Sequence, residues 1–235
     1  YFSDGLTEEI IMNLSKLQVL RVVARGSTMH YVKEGKTHKQ AANDLGVQYL
    51  LEGSVRREGK DLRITAQLID AMRDVYLWAE TYRGTIEDIF EIQEKVAAEI
   101  VQALQLRLSP DEKQILKKRF TKNTEAYQLY LQGRFFWNKR SEESLKTAIT
   151  YFEKAIEKDP RYALAWAGIA DSYSLLGECG NIPRKELYPK AEAAVNKALE
   201  FYDRLAEVHT SFASLLMWSK WDWVNSEKEF KLALE

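Results

Sequence analysis

The chain has 235 residues with 34 basic and 35 acidic side chains and a 46% apolar content. That is enough apolar material for a real core, and the near-neutral balance lacks the basic excess of a protein that grips nucleic acid through its phosphates. The lone cysteine, Cys179, excludes an intramolecular disulfide, and no apolar run is long enough to span a membrane.

In chain order, Leu6, Ile10, Ile11, Leu14 and Leu17 recur at helical spacing behind Asp4-Gly5. LRVVAR, residues 20–25, reads as a buried strand. Thr37 stands as the cap of a short helix carrying Ala41 and Leu45 and ending at Gly46. Three period-2 runs follow. VQYLLEGSVRR sets Val47, Tyr49, Leu51, Gly53 and Val55 on one face, LRITAQLIDA sets Leu62, Ile64, Ala66 and Leu68 together, and VYLWAETY alternates again. Turns at Glu58-Gly59-Lys60 and Arg73-Asp74 make these an antiparallel meander. A helix is predicted from Thr85 to Leu108, with Ile89, Phe90, Val96, Ile100, Val101 and Leu104 inward. Ser109-Pro110-Asp111-Glu112 is a helix start with its cap and capping-box glutamate, and the domain boundary is placed there. The expected fold is an α+β domain over 1–108 and an all-α half over 109–235.

The helical half repeats itself. AITYFEKAIEKDP (148–160), AEAAVNKALEFYD (191–203) and SEKEFKLALE (226–235) each place a small residue, a larger apolar one four later and alanine seven later. A helix precedes each copy, with Gly133, Ala170 or Ala213 at mid-face. Gly133, Ala148, Ala155, Ala170, Ala191, Ala198, Ala213 and Ala233 are therefore expected to let helices pack closely. Ala155 and Ala198 are 43 residues apart and Ala198 and Ala233 are 35 apart, the excess falling around GECGNIPRKELYP.

These paired helices resemble the tetratricopeptide (TPR) family. Trp166, Ile169, Ala170 and Tyr173 occupy first-helix signature positions, and Asp159-Pro160 matches the closing proline. The resemblance implies a TPR solenoid of about three repeats (approximately 124–160, 161–203 and 204–235) that continues in a longer parent. It also implies a partner-binding groove built from Tyr127, Tyr130, Arg134 and Asn138, then Asp171 and Ser174, then Thr210, Ser214 and Met217, with Trp137 and Trp218 beside them. The Lys/Asn clamp of chaperone-binding members is absent. YFSDGLTEEI, LRVVAR, LGVQYLLEGSVRREGKDLRITAQLID and LWAETYRG are similar to the TolB amino-terminal-like domain, which precedes TPR arrays in bacterial adenylate-cyclase, kinase and winged-helix signalling proteins. That family has a further strand before YFSDGLTEEI.

A catalytic constellation is not legible. His30, His38 and His209 lie outside metal-ligand spacing of each other and of Cys179, the glycines form no phosphate loop, and LKKRFTKN (116–123) reads as a solvated helix face. No metal or cofactor is expected, and the dense Trp218, Trp221 and Trp223 read as a structural turn. The expectation is a non-catalytic, protein-binding sensory module of a larger signalling protein, its effector domain in the same chain. It would lie in the cytoplasm, or outside it if a membrane helix precedes the segment. The alternatives are a regulatory part of an adenylate cyclase, or an enzyme or small-ligand site in 1–108 drawing on Asp4, Thr7, Arg25, Glu52 and Arg56.

Overall fold

The computed structural model describes residues 2–17, 19–110, 112, 114, 119–179 and 182–234; the side chains of Arg25, Met29, His30, Val32, Lys33 and Cys179 also lie outside the description. The expectations placed on Arg25, His30 and Cys179, and on Leu116, Lys117 and Lys118 of the basic cluster at 116–123, therefore fall outside it. The chain forms two compact units, residues 6–119 and residues 120–235 with 1–5. The division falls at 119/120 rather than after 108. Arg119 donates to Glu94 at 2.8 Å and lies over the Phe90 ring, whereas Thr121 donates to Asp159 at 2.6 Å. Ser109 and Glu112 form the anticipated reciprocal cap, at 2.8 and 3.2 Å.

The first unit is α+β. Helix α1 (Phe2–Ser15) contributes Leu6 and Leu14 to buried positions, followed by Leu17. Residues 20–24 are not a strand: among the described residues they join no sheet, and Arg25–Glu34 form α2 instead. Two adjacent valines favour extended backbone, but a strand needs a partner, and the Ala24 carbonyl is taken by Ser27 and Thr28 at the start of α2. Helix α3 (His38–Leu45) forms as its caps dictate. Thr37 and Gln40 close a capping box, and Gly46 stops the helix at φ 65°. Its buried residue is Ala42.

Strands β1 (Tyr49–Glu58), β2 (Asp61–Asp70) and β3 (Val75–Thr85) form a sheet in the order β1-β2-β3, both pairings antiparallel. The turns require left-handed residues, supplied by Gly59 at φ 60° and Asp74 at φ 54°. On β2, Leu62, Ile64, Ala66 and Leu68 are buried, as their alternation demands. A single 3-10 turn (Ile86–Asp88), boxed by Thr85 and Asp88, leads into α4 (Ile89–Ala103). This helix covers the sheet through Ile89, Phe90, Ile92, Val96, Ala97 and Ile100. It ends before the predicted Leu108, because Gln105 turns left-handed at φ 53°; Val101 and Leu104 are only half-buried. Glu99 joins the layers, accepting from Trp78 Nε1 at 2.7 Å and Tyr82 Oη at 2.8 Å.

His38 sits between Asp74 (3.2 Å) and Glu52 (3.1 Å). The Asp74 hydrogen bond lifts its pKa above the ordinary histidine value, partial burial opposes this, and the Glu52 charge adds to the rise. A raised folded-state pKa gives stability that is complete below the unfolded pKa and lost as pH rises through the folded one. Stability of this unit should therefore fall above neutral pH, and an NMR titration should place the His38 midpoint above that of free histidine. Asp74→Asn should return it toward the free value.

The second unit is helical throughout its described elements: α5 (Thr124–Trp137), α6 (Glu142–Lys158), α7 (Ala163–Cys179), α8 (Arg184–Phe201), α9 (Ala206–Leu215) and α10 (Trp223–Leu234). They fold as successive hairpins, α5 on α6, α7 on α8 and α9 on α10, and α7 also touches α5, α6 and α9. Asn123 caps α5, and Ser141 caps α6. Ala148, Ala155, Ala191, Ala198 and Ala213 are fully buried and Ala170 nearly so. Ala233 is half-buried: it lies one turn beyond Glu229, the partner of His209, and so level with the start of α9. Phe152 is completely buried between two glycines on flanking helices. A methyl on Gly133 of α5 would overlap its ring, and one on Gly168 of α7 would come within 2.6 Å of its Cζ.

Candidate interaction site

Because α5, α7 and α9 lie side by side, their polar residues meet across the first helix of each hairpin. Arg134 of α5 lies 4.4 Å above the Trp137 ring, and Arg140, just past the helix, lies 3.6 Å from it. Arg140 reaches this position from a left-handed backbone, φ 57°. Asp171 of α7 is half-buried among these groups. Burial holds its carboxyl above the usual range, while the nearby Ser211 hydroxyl of α9 and the charges of Arg134 and Arg140 act to lower it; that hydroxyl itself donates to the Glu207 carbonyl at 2.9 Å. The site is thus a carboxylate on α7 and two guanidiniums at the end of α5, with an indole beneath the guanidiniums. Chemically it suits recognition of polar and charged groups; neither a nucleophile with its base nor an acid–base pair is formed by these residues.

The sequence-derived groove residues divide. Arg134 and Asp171 come together. Asn138 is exposed at the end of α5, Thr210 is exposed on α9, and Ser214 and Met217 are half-buried. Tyr127 and Tyr130 are only 2% and 3% exposed and face the interior instead of an open groove. The Tyr130 ring packs 5.8 Å from Phe152 and 5.2 Å from Tyr162, because the core beside the two glycines needs large side chains to fill it. Ser174 is buried as well. Sequence reasoning missed Arg140 and Ser211. The extra residues at Lys139-Arg140-Ser141 were the available signal for the first, and no pattern marked the second.

Three other surface features stand outside this site. The tryptophan turn does not pack as a core element: α9 passes into a π-helical turn (Leu216–Lys220), Trp221 turns left-handed, and Trp218, Trp221 and Trp223 are 42%, 63% and 53% exposed. The α7–α8 hairpin forms a cleft of about 380 Å³ against α6, with Ile149, Leu176 and Leu187 buried within it and Lys146, Glu153, Glu186 and Lys190 exposed around it; the excess length anticipated as a long loop is taken up in the helices, which run to Cys179 and restart at Arg184. In the first unit, Glu52 and Arg56 are exposed on β1 and Thr7 is exposed on α1. Among the described residues, no helix is long and apolar enough to cross a membrane.

No family model matches the chain. It is similar to a Rhizobium meliloti (strain 1021) protein named "Putative adenylate cyclase 3", with 38% identity over 170 residues, covering 72% of this chain and 29% of that protein. The chain thus spans less than a third of the length of the relative it matches.

Proposed function

We propose that this chain is a non-catalytic interaction module of a larger bacterial signalling protein. In this reading the helical unit is a TPR array, the α+β unit is TolB-like, and the α5–α7–α9 face takes a peptide or protein partner. The observation that carries it is the pair of guanidiniums, Arg134 and Arg140, held over the Trp137 indole at the end of α5 and facing the neighbouring first helix of the next hairpin, whose Asp171 lies within reach of their charge. Half-exposed arginine and tryptophan at its centre are residue types on which binding energy concentrates. The name of the relative favours a second, compatible reading, in which the module regulates an adenylate cyclase carried elsewhere in the chain.

Arg134→Ala and Asn138→Ala test the reading in the full-length protein. Each should weaken partner capture by about tenfold, the scale of a binding hot spot, with the helical signal unchanged. Unchanged capture with both, or turnover of a substrate by the 235-residue chain alone, would overturn it.

A further inference from the structure

The face of the sheet turned away from α4 carries a row of three arginines. The register sets Arg56 of β1 opposite Arg63 of β2, and Arg63 opposite Arg83 of β3. Directly paired residues share a face, and Leu62 and Ile64 on either side of Arg63 are buried, so the three arginines stand together on the open face. All three are exposed, and none forms an ion pair among the described residues. At about 4.5–5.5 Å between directly opposed Cα atoms, the row spans about 10 Å. Like charges set directly opposite one another destabilise a sheet. Charge on an edge strand repels unwanted partners, which gives Arg56 and Arg83 a use; Arg63 is on the central strand and protects no edge. A further strand beside β1 would extend the sheet in its own plane and leave the row in place.

The neighbouring rows on this face say what the arginines suit. On one side stand Ser54, Thr65 and Thr81, hydroxyls able to donate to an anion, the Thr65 and Thr81 Oγ1 atoms being 3.4 Å apart. On the other side stand Glu58 and Asp61, opposite each other. Beyond the hydroxyls lies Glu52, already held by His38 at 3.1 Å. An extended anionic surface would press its charge onto these carboxylates as well as onto the arginines. A compact anion lying along the one row would not, and its phosphoryl oxygens can accept from guanidinium forks and hydroxyls together. A single phosphate is too small to reach all three strands. We propose that this row is a binding site for a soluble oligophosphate, held by Arg56, Arg63 and Arg83 with the hydroxyl row beside it. The inference is independent of the helical face and stands or falls apart from it.

The test uses the 235-residue chain and inorganic tripolyphosphate, with orthophosphate for comparison. Calorimetric titration at about 0.05 M salt should show one site per chain with a Kd of about 1–100 μM, and orthophosphate should bind at least about tenfold more weakly. Arg63→Gln and Arg83→Gln should each weaken tripolyphosphate binding by about tenfold. Lys95→Gln makes the same charge change at an exposed position on α4 and should alter binding by less than about twofold. Arg63→Gln also removes a like-charge opposition. It should therefore raise the midpoint of thermal unfolding without the anion, while removing the further rise that tripolyphosphate gives the unaltered chain. A loss of binding through misfolding would lower that midpoint instead. No saturable binding, equal weakening by Arg63→Gln and Lys95→Gln, or orthophosphate binding as tightly as tripolyphosphate would overturn the proposal. Arg63-dependent binding to phosphatidylserine vesicles that is tighter than binding to tripolyphosphate would do so too, by giving the face to a membrane surface.

Discussion

Phe152→Ala should destabilise the helical unit by about 3–5 kcal/mol, the cost of emptying a fully buried aromatic site. The ring has no exposed surface and is pinned between Gly133 and Gly168, so its neighbours cannot close over the void. The glycines give the complementary result. Gly133→Ala should gain up to about 1 kcal/mol of helix propensity but lose about 1–3 kcal/mol by overpacking, for a net loss. The ring has no room to swing aside, because the Gly168 backbone is so close on the flanking helix that even a methyl group there would come within 2.6 Å of Cζ. Gly133→Ala combined with Phe152→Leu should cost less than the two separate losses added together, since the smaller side chain relieves the overlap. Urea unfolding followed by circular dichroism measures all three; strict additivity would show that the glycine is not there for the ring.

His209→Ala should cost about 2–3 kcal/mol, the scale of breaking hydrogen bonds to a charged group. His209 is 8% exposed, its Nδ1 lying 2.6 Å from Glu229 of α10 and its Nε2 2.7 Å from the Asp203 carbonyl before α9. One imidazole thus ties the last hairpin to its own entry. Truncation leaves a half-buried carboxylate and a carbonyl wanting donors. Amide exchange should quicken in α10 more than in α5; a uniform change, or a loss below about 0.5 kcal/mol, would remove the clamp from the account.

Local chemistry was the most legible part of the sequence. The caps at Thr37, Thr85 and Ser109 depend on residues three apart, and each forms its box. The meander was legible because β2 is covered on one face, so its alternation had to be strict. LRVVAR failed for the opposite reason: β propensity is local, but pairing is not. The alanines could be read as close-packing positions, yet Gly168 went unnoticed, because its role depends on a phenylalanine from another helix. The groove was the least legible. Offsets along a helix placed Tyr127 and Tyr130 on an open face, while their bulk was needed inside. Arg140 and Ser211 acquire meaning only once three hairpins bring them to Asp171.

The central claim is that the α5–α7–α9 face binds a protein partner. It is tested most directly by placing a photo-cross-linking side chain at Thr210, exposed on that face, in the full-length protein within its native cells. The account predicts one cross-linked partner of defined mass, absent when the probe is moved to exposed Arg63 on β2 and absent again with Arg134→Ala. Cross-linking that is equal at both positions, or that survives Arg134→Ala unchanged, would contradict it.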